Sequence, residues 1–161
     1  MFENLPKAYA NGADIEARAN LMAAASMGAT AFQKGLGAIH SLSHPIGALY
    51  DTHHGMTNAV FMPYVLKHNR AAIEKRIERL ADYLGIEGGF DGFVDAILKL
   101  RKDLGVPNTL PEFVKGLELD TARKDLIAEM AIVDPTAGGN PIELTKQGAL
   151  DLLNAALTGK L

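Results

Sequence analysis

Apolar residues recur along most of the chain with the period of an α-helix. Two stripes are the clearest, and they consist of Ile73, Ile77, Leu80 and Leu84 and of Phe93, Ile97, Leu100 and Leu104. Each stripe is followed by a glycine, Gly85 or Gly105, which is the usual residue just past a helix end. β-branched residues are few and no alternating pattern is sustained. The sequence therefore predicts an all-α fold, a helical bundle of about seven to nine helices.

The first long helix is predicted from the cap residue Asp14 to about Lys34. Its apolar positions form one stripe, which consists of Leu21, Ala25, Gly28 and Phe32. Met22 and Met27 are expected to fill the core beside this stripe. Further helices are predicted after Gly37, with a kink near Pro45, and from about Met56, with a bend or stop at Pro63.

Three more helical segments are predicted in the last third of the chain. Thr109 and Glu112 have the spacing of a capping box, so a short helix is expected to start there. Another helix covers about 121–133, and the last one begins after the cap residue Thr145 and runs through Leu157. The intervening segment 134–141 is rich in turn-forming residues.

Composition narrows the class of protein. A chain of 161 residues with 48% hydrophobic and 22% charged residues and a net charge of −3 suits one globular domain. Acidic and basic residues are interspersed, so no nucleic-acid partner is expected. Because the chain contains no cysteine, disulfides and thiolate ligands are excluded. No apolar run is long enough for a membrane span and no export signal is visible, so a cytoplasmic protein without a membrane partner is expected.

Four of the five histidines lie between residues 40 and 54. Imidazole is the commonest metal ligand, so this cluster suggests a metal site. On a helix, His40 and His44 would share one face and could bind an ion together, although Pro45 disturbs that helix. Alternatively, His40 and His54 meet across a loop while His44 lies nearby. Spacing alone leaves both arrangements open.

The order of residues around these histidines carries a resemblance. The run His-x3-His-Pro-x-Gly-Ala-x-Tyr-Asp-x-x-His-Gly-x-x-Asn-Ala-x-x-x-Pro, from His40 to Pro63, resembles the signature of the iron-containing alcohol dehydrogenases, also called group III metal-dependent alcohol dehydrogenases. The resemblance implies that His40 and His54 are metal ligands. It places His44 beside the nicotinamide and the substrate, as a catalytic and cofactor-binding residue. His53 receives no role.

The resemblance covers essentially the whole chain, since the Leu5-Pro6 opening and the segments 107–110 and 134–141 share it. It implies that residues 1–161 are one all-helical domain, corresponding to the C-terminal domain of the family. The amino-terminal nucleotide-binding domain of the family is then absent from the chain. So are the other two metal ligands of the family, an aspartate and a histidine on a helix just upstream.

The implied activity is hydride transfer between a small alcohol or aldehyde and NAD or NADP. A divalent metal, iron(II) or zinc, would act as a Lewis acid. The chain alone is expected to be inactive without the missing domain, and a homo-oligomer is possible. An alternative from another class is a small metal-binding helical module that uses His40, His44 and His54 and has no redox role.

Overall fold

The fold is all-α, as predicted. A computed structural model describes residues 1–117 and 119–161, and within these residues it contains eight α-helices. They are α1 (Asn4–Ala10), α2 (Ile15–Ala31), α3 (Ala38–Tyr50), α4 (His54–His68), α5 (Arg70–Leu84), α6 (Gly89–Asp103), α7 (Thr121–Val133) and α8 (Lys146–Thr158). Short 3-10 turns cover Phe32–Lys34, Leu110–Glu112 and Ala137–Gly139. The number of helices lies within the predicted range.

Helix ends follow the local chemistry of the sequence. The side chains of Asp14 and Thr145 accept hydrogen bonds from the first-turn amides of α2 and α8. Gly85 follows α5 with a φ of 67°, a left-handed conformation that glycine adopts without strain. The predicted capping box does not form: the Thr109 hydroxyl donates to the Glu112 carboxylate at 3.0 Å and caps no backbone amide, and the element that follows is a single 3-10 turn.

Neither internal proline ends its helix. Pro45 lies within α3 and Pro63 within α4, and both side chains are buried. Each proline removes one backbone hydrogen bond, and packing in the core compensates for this loss. As a result α3 continues past Pro45 to Tyr50, and α4 continues past Pro63 to His68. Helix α4 begins at His54, two residues before the predicted start.

The core lies between α3, α4, α7 and α8. Fully buried side chains from all four helices meet there, among them Leu42, Ile46, Val60, Phe61, Ile127 and Leu153. The pair α5 and α6 packs beside α4, and α1 packs against α2. The two helices that carry the histidine cluster, α3 and α4, are therefore both part of this core.

Helix α2 does not bury the residues that its pattern suggested. Met22 and Met27 are each 73% exposed and Phe32 is 57% exposed, so the expectation that both methionines fill the core is wrong. Ala17 is the buried residue of this helix. The stripe is helical up to Ala31, as predicted, but local periodicity does not show whether a partner helix lies against it.

Asn140 fastens the loop after α7 to the start of α3. Its side-chain oxygen accepts hydrogen bonds from the Ala38 amide at 3.2 Å and from Asn69 at 2.9 Å. Its amide nitrogen donates to the Asn69 side-chain oxygen at 2.8 Å and to the Ile142 carbonyl at 2.6 Å. One side chain thus satisfies a free amide at the beginning of the histidine helix and pairs with Asn69, which is only 5% exposed.

Replacing this residue should destabilise the domain. We expect Asn140→Ala to lower the free energy of unfolding by ~2 kcal/mol, because Asn69 and the Ala38 amide lose their partners. Urea denaturation of the purified chain measures this difference. The matched control is Asn154→Ala on α8, which removes only an exposed contact with Lys124. Equal stability of the two variants would contradict the role of Asn140.

None of the helices in the described part of the chain combines the length and the apolar composition required to span a bilayer.

Candidate metal and cofactor site

Helices α3 and α4 bring three of the clustered histidines together. His40 and His44 lie one turn apart on α3, with ring centroids 5.9 Å apart. His54, in the first turn of α4, lies 5.2 Å from His40 and 5.4 Å from His44 by the same measure. All three rings therefore lie close to one another on one surface of the domain.

The loop between the two helices sets the position of His54. Asp51 ends α3 in a left-handed conformation with a φ of 49°, which turns the chain within a few residues. His53 then caps α4, because its Nδ1 accepts a hydrogen bond from the Met56 amide at 3.2 Å. His53, to which the resemblance assigns no role, is thus the N-cap of the helix that begins at His54.

The free nitrogens of His40 and His54 converge on one point. The side-chain amide of Asn58, one turn after His54, donates to Nε2 of His40 at 3.2 Å and to Nε2 of His54 at 3.0 Å. Both Nε2 atoms therefore present a lone pair to the same place. Both Nε2 atoms lie about 3 Å from the Asn58 amide nitrogen, so an ion that took the place of this amide could reach both imidazoles with bonds of ~2.0–2.1 Å after a shift of ~1 Å. The geometry fits a shared metal ion.

Two further features fit a cation at this position. The Asn58 side-chain oxygen is buried without a hydrogen-bond partner among the described residues, an unused acceptor on the residue that contacts both histidines. Burial lowers the pKa of His40, and the neighbouring His54 and His44 lower it further, against an opposing effect of Asp134. His40 is therefore neutral at neutral pH, as a metal ligand must be.

His44 differs from His40 and His54 because one of its ring nitrogens contacts a carboxylate. Its Nδ1 lies 2.8 Å from a carboxylate oxygen of Asp134, and its ring is stacked on that of His54 with an interplanar angle of 17°. In stacked rings the nitrogen lone pairs run side by side and do not meet at one ion. Within the described residues no group of three or more His, Asp or Glu side chains is arranged to hold a metal. This geometry does not favour a three-histidine module.

Sequence reasoning missed two residues of this site. Asn58 lies in the run from His40 to Pro63, and the resemblance assigns it no role. Its position four residues after His54 nevertheless predicts a contact between these two side chains on a helix. Asp134 lies 90 residues from His44 and meets it only through the tertiary fold. Its signal was the turn-rich segment 134–141, in which a carboxylate directly follows a helix.

Comparison with known proteins identifies the class. The sequence model of the Fe-containing alcohol dehydrogenase family, C-terminal, matches residues 1–157. The chain is 35% identical to the NAD-dependent methanol dehydrogenase of Bacillus methanolicus over 96% of its own length, and 33% identical to the NADPH-dependent butanol dehydrogenase of Clostridium saccharobutylicum over 89%. The chain belongs to the iron-containing alcohol dehydrogenase family and corresponds to its C-terminal domain.

A solved structure agrees with this membership. The crystal structure of a 1,3-propanediol oxidoreductase superposes with a TM-score of 0.88 and 30% sequence identity, over 97% of this chain and 42% of that one. The chain likewise spans 42% of the length of the methanol dehydrogenase and 38% of the butanol dehydrogenase. The all-α fold is thus that of one domain of larger oxidoreductases.

Proposed function

We propose that this chain is the metal-binding half of an NAD(P)-dependent alcohol dehydrogenase, located in the cytoplasm, that interconverts a small alcohol and its aldehyde or ketone. The observation that carries this proposal is the convergence of Nε2 of His40 and Nε2 of His54 on one point. These nitrogens would hold a divalent ion, and both iron(II) and zinc accept imidazole ligands. Bound there, the ion would supply Lewis acidity that makes the hydroxyl group of an alcohol more acidic.

The remaining residues of the site would orient the reactants. His44 has a half-exposed side chain beside the two proposed ligands, so it can contact both a substrate and a nicotinamide ring. Phe32 lies edge-on to His40, with ring centroids 5.7 Å apart, and gives the cluster an apolar wall. An apolar wall beside a pair of polar imidazoles suits a short alcohol with a hydroxyl group at one end.

The second half of the site would come from a nucleotide-binding domain that is not among these residues. The named relatives include one NAD-dependent and one NADPH-dependent enzyme, so either dinucleotide is proposed for the intact enzyme. Exposed apolar residues on α2, Met22 and Met27, and in the turn after it, Phe32, support a docking face for that domain, and Phe32 contacts His40. The other two of the four ligands implied by the family resemblance would lie on a helix just upstream of these residues.

The isolated chain should therefore not oxidise alcohols. Hydride transfer requires donor and acceptor to be held at reacting distance, which can contribute ~7–11 kcal/mol, and these residues alone would hold neither reactant firmly. The measurement is NADH or NADPH formation by the purified chain with iron(II) or zinc and a panel of short alcohols and diols. The same panel is assayed with the chain fused behind the nucleotide-binding domain of a relative together with the helix that carries its other two metal ligands.

The expected result is turnover by the fusion and none by the chain alone. His44→Ala in the fusion should reduce turnover while the metal content stays near that of the unsubstituted fusion. Turnover of ~1–10³ s⁻¹ by the chain alone would contradict the need for a second domain. A folded, metal-loaded fusion that reduces neither dinucleotide with any alcohol would contradict the proposed activity.

A further inference from the structure

A carboxylate from a distant segment contacts the edge of His44. Asp134 follows α7, and one of its side-chain oxygens, Oδ2, lies 2.8 Å from His44 Nδ1. The Asp134 side chain is 13% exposed and that of His44 is 39% exposed. The contact therefore lies on the more buried side of His44, while part of the imidazole remains accessible to solvent.

The other carboxylate oxygen is held by its own partners. Thr136 donates to Asp134 Oδ1 twice, from its backbone amide at 2.8 Å and from its hydroxyl at 2.6 Å. These two donors fix the rotation of the carboxylate and leave Oδ2 for the imidazole. Burial opposes ionisation, but the hydrogen bonds from Thr136 and His44 outweigh it, so the pKa of Asp134 lies below its ordinary value.

The loop that carries Asp134 is attached to the histidine helix at a second point. Asn140 accepts a hydrogen bond from the Ala38 amide, and Gly139 lies against the Leu36 carbonyl. Because both ends of the segment 134–140 are held, the distance between Asp134 and His44 is fixed by the fold. It does not depend on a flexible surface side chain.

We propose that Asp134 is a positioning residue that selects the tautomer of His44. An ionised carboxylate only accepts hydrogen bonds, so Nδ1 of His44 must carry the proton and donate it. Nε2 is then left as an acceptor with a free lone pair. In other carboxylate–histidine pairs the carboxylate likewise fixes the tautomer and the ring orientation of the histidine.

The tautomer has a consequence for the reaction, and this step rests on the proposed dehydrogenase function. During alcohol oxidation the hydroxyl O–H bond breaks and its proton passes to Nε2 of His44. The carbinol C–H bond breaks as well, and its hydride passes to the oxidised nicotinamide, so the alcohol loses two electrons and the cofactor gains them. A His44 with the proton on Nε2 could not accept the hydroxyl proton there.

The test uses the whole chain without metal or dinucleotide, so its outcome does not depend on activity. Histidine ¹⁵N labelling and long-range ¹H–¹⁵N correlation spectra at alkaline pH report which ring nitrogen carries the proton. The His44 signals are assigned by their loss in His44→Gln. We expect His44 to be protonated on Nδ1, and a wild-type His44 protonated mainly on Nε2 would overturn the proposal.

Asp134→Asn sharpens the test. The two Thr136 donors should hold the amide oxygen in place of Oδ1, which turns the amide NH₂ toward His44. Nδ1 must then accept, and the tautomer should reverse to Nε2-protonated. Asp120→Asn is the matched control, since Asp120 caps the other end of α7 through the Arg123 amide. An unchanged His44 tautomer in folded Asp134→Asn would contradict the role of Asp134.

Discussion

His40→Ala and His54→Ala should each weaken the binding of Zn²⁺ or Fe²⁺ to the purified chain by at least ~100-fold, because each removes one of the two nitrogens that converge on the proposed ion. Removing even an indirect contact to a metal commonly costs ~10–100-fold in affinity, and a direct ligand should cost no less. Isothermal titration calorimetry measures the affinity, and competition with a coloured chelator checks the stoichiometry.

Two control variants separate this pair from the neighbouring histidines. His53→Asn removes an adjacent imidazole but retains a residue that caps helices well, so α4 should still begin at His54. His44→Ala removes the third ring of the cluster, which is already engaged with Asp134. Both variants should bind metal with nearly the wild-type affinity. A loss in His44→Ala comparable to that in His40→Ala would assign His44 as a ligand instead.

Gly139→Ala should be the most destabilising single-methyl addition in the segment that supports the site. A Cβ atom at Gly139 would lie 1.9 Å from the Leu36 carbonyl oxygen, a backbone atom that cannot rotate away. The loop and the start of α3 must therefore separate. We expect the free energy of unfolding to fall by ~3 kcal/mol or more, at or above the upper end of the usual cost of overpacking. Urea denaturation measures the loss.

The neighbouring residue is a matched control. A Cβ atom at Gly138 would meet no atom within 4 Å, and both glycines lie in the same 3-10 turn. Gly138→Ala should therefore change stability by no more than ~0.5 kcal/mol. Gly139→Ala should also disturb the contact between His44 and Asp134, whereas Gly138→Ala should preserve it. Equal stability of the two variants would show that the loop does not press against α3.

Much of this domain could be predicted from local patterns. The stripe from Ile73 to Leu84 and the glycine after it are sufficient to place α5, because helical period and chain termination are local properties. The pairing of His40 with His54 is implied by the family resemblance of the run from His40 to Pro63. Spacing alone also allows a pairing of His40 with His44. That pairing as metal ligands stays a prediction, and the converging nitrogens support it.

Three features of the domain depend on tertiary contacts, and local patterns do not predict them. Pro45 predicts a kink or an end, and that α3 continues past it to Tyr50 depends on buried surroundings that a local pattern does not contain. The pattern of α2 indicated a buried stripe, yet no periodicity reveals that Met22 and Met27 face solvent. Asp134 reaches His44 across 90 residues, a distance over which spacing carries no information.

The most direct measurement is a crystal structure of the chain grown with Zn²⁺, with diffraction data collected on both sides of the zinc absorption edge. The anomalous difference map should show one ion ~2.0–2.1 Å from Nε2 of His40 and from Nε2 of His54, with the Asn58 side chain displaced. His44 should keep its hydrogen bond to Asp134. An ion bound at His44, or no anomalous peak between His40 and His54 at saturating Zn²⁺, would contradict the proposed metal site.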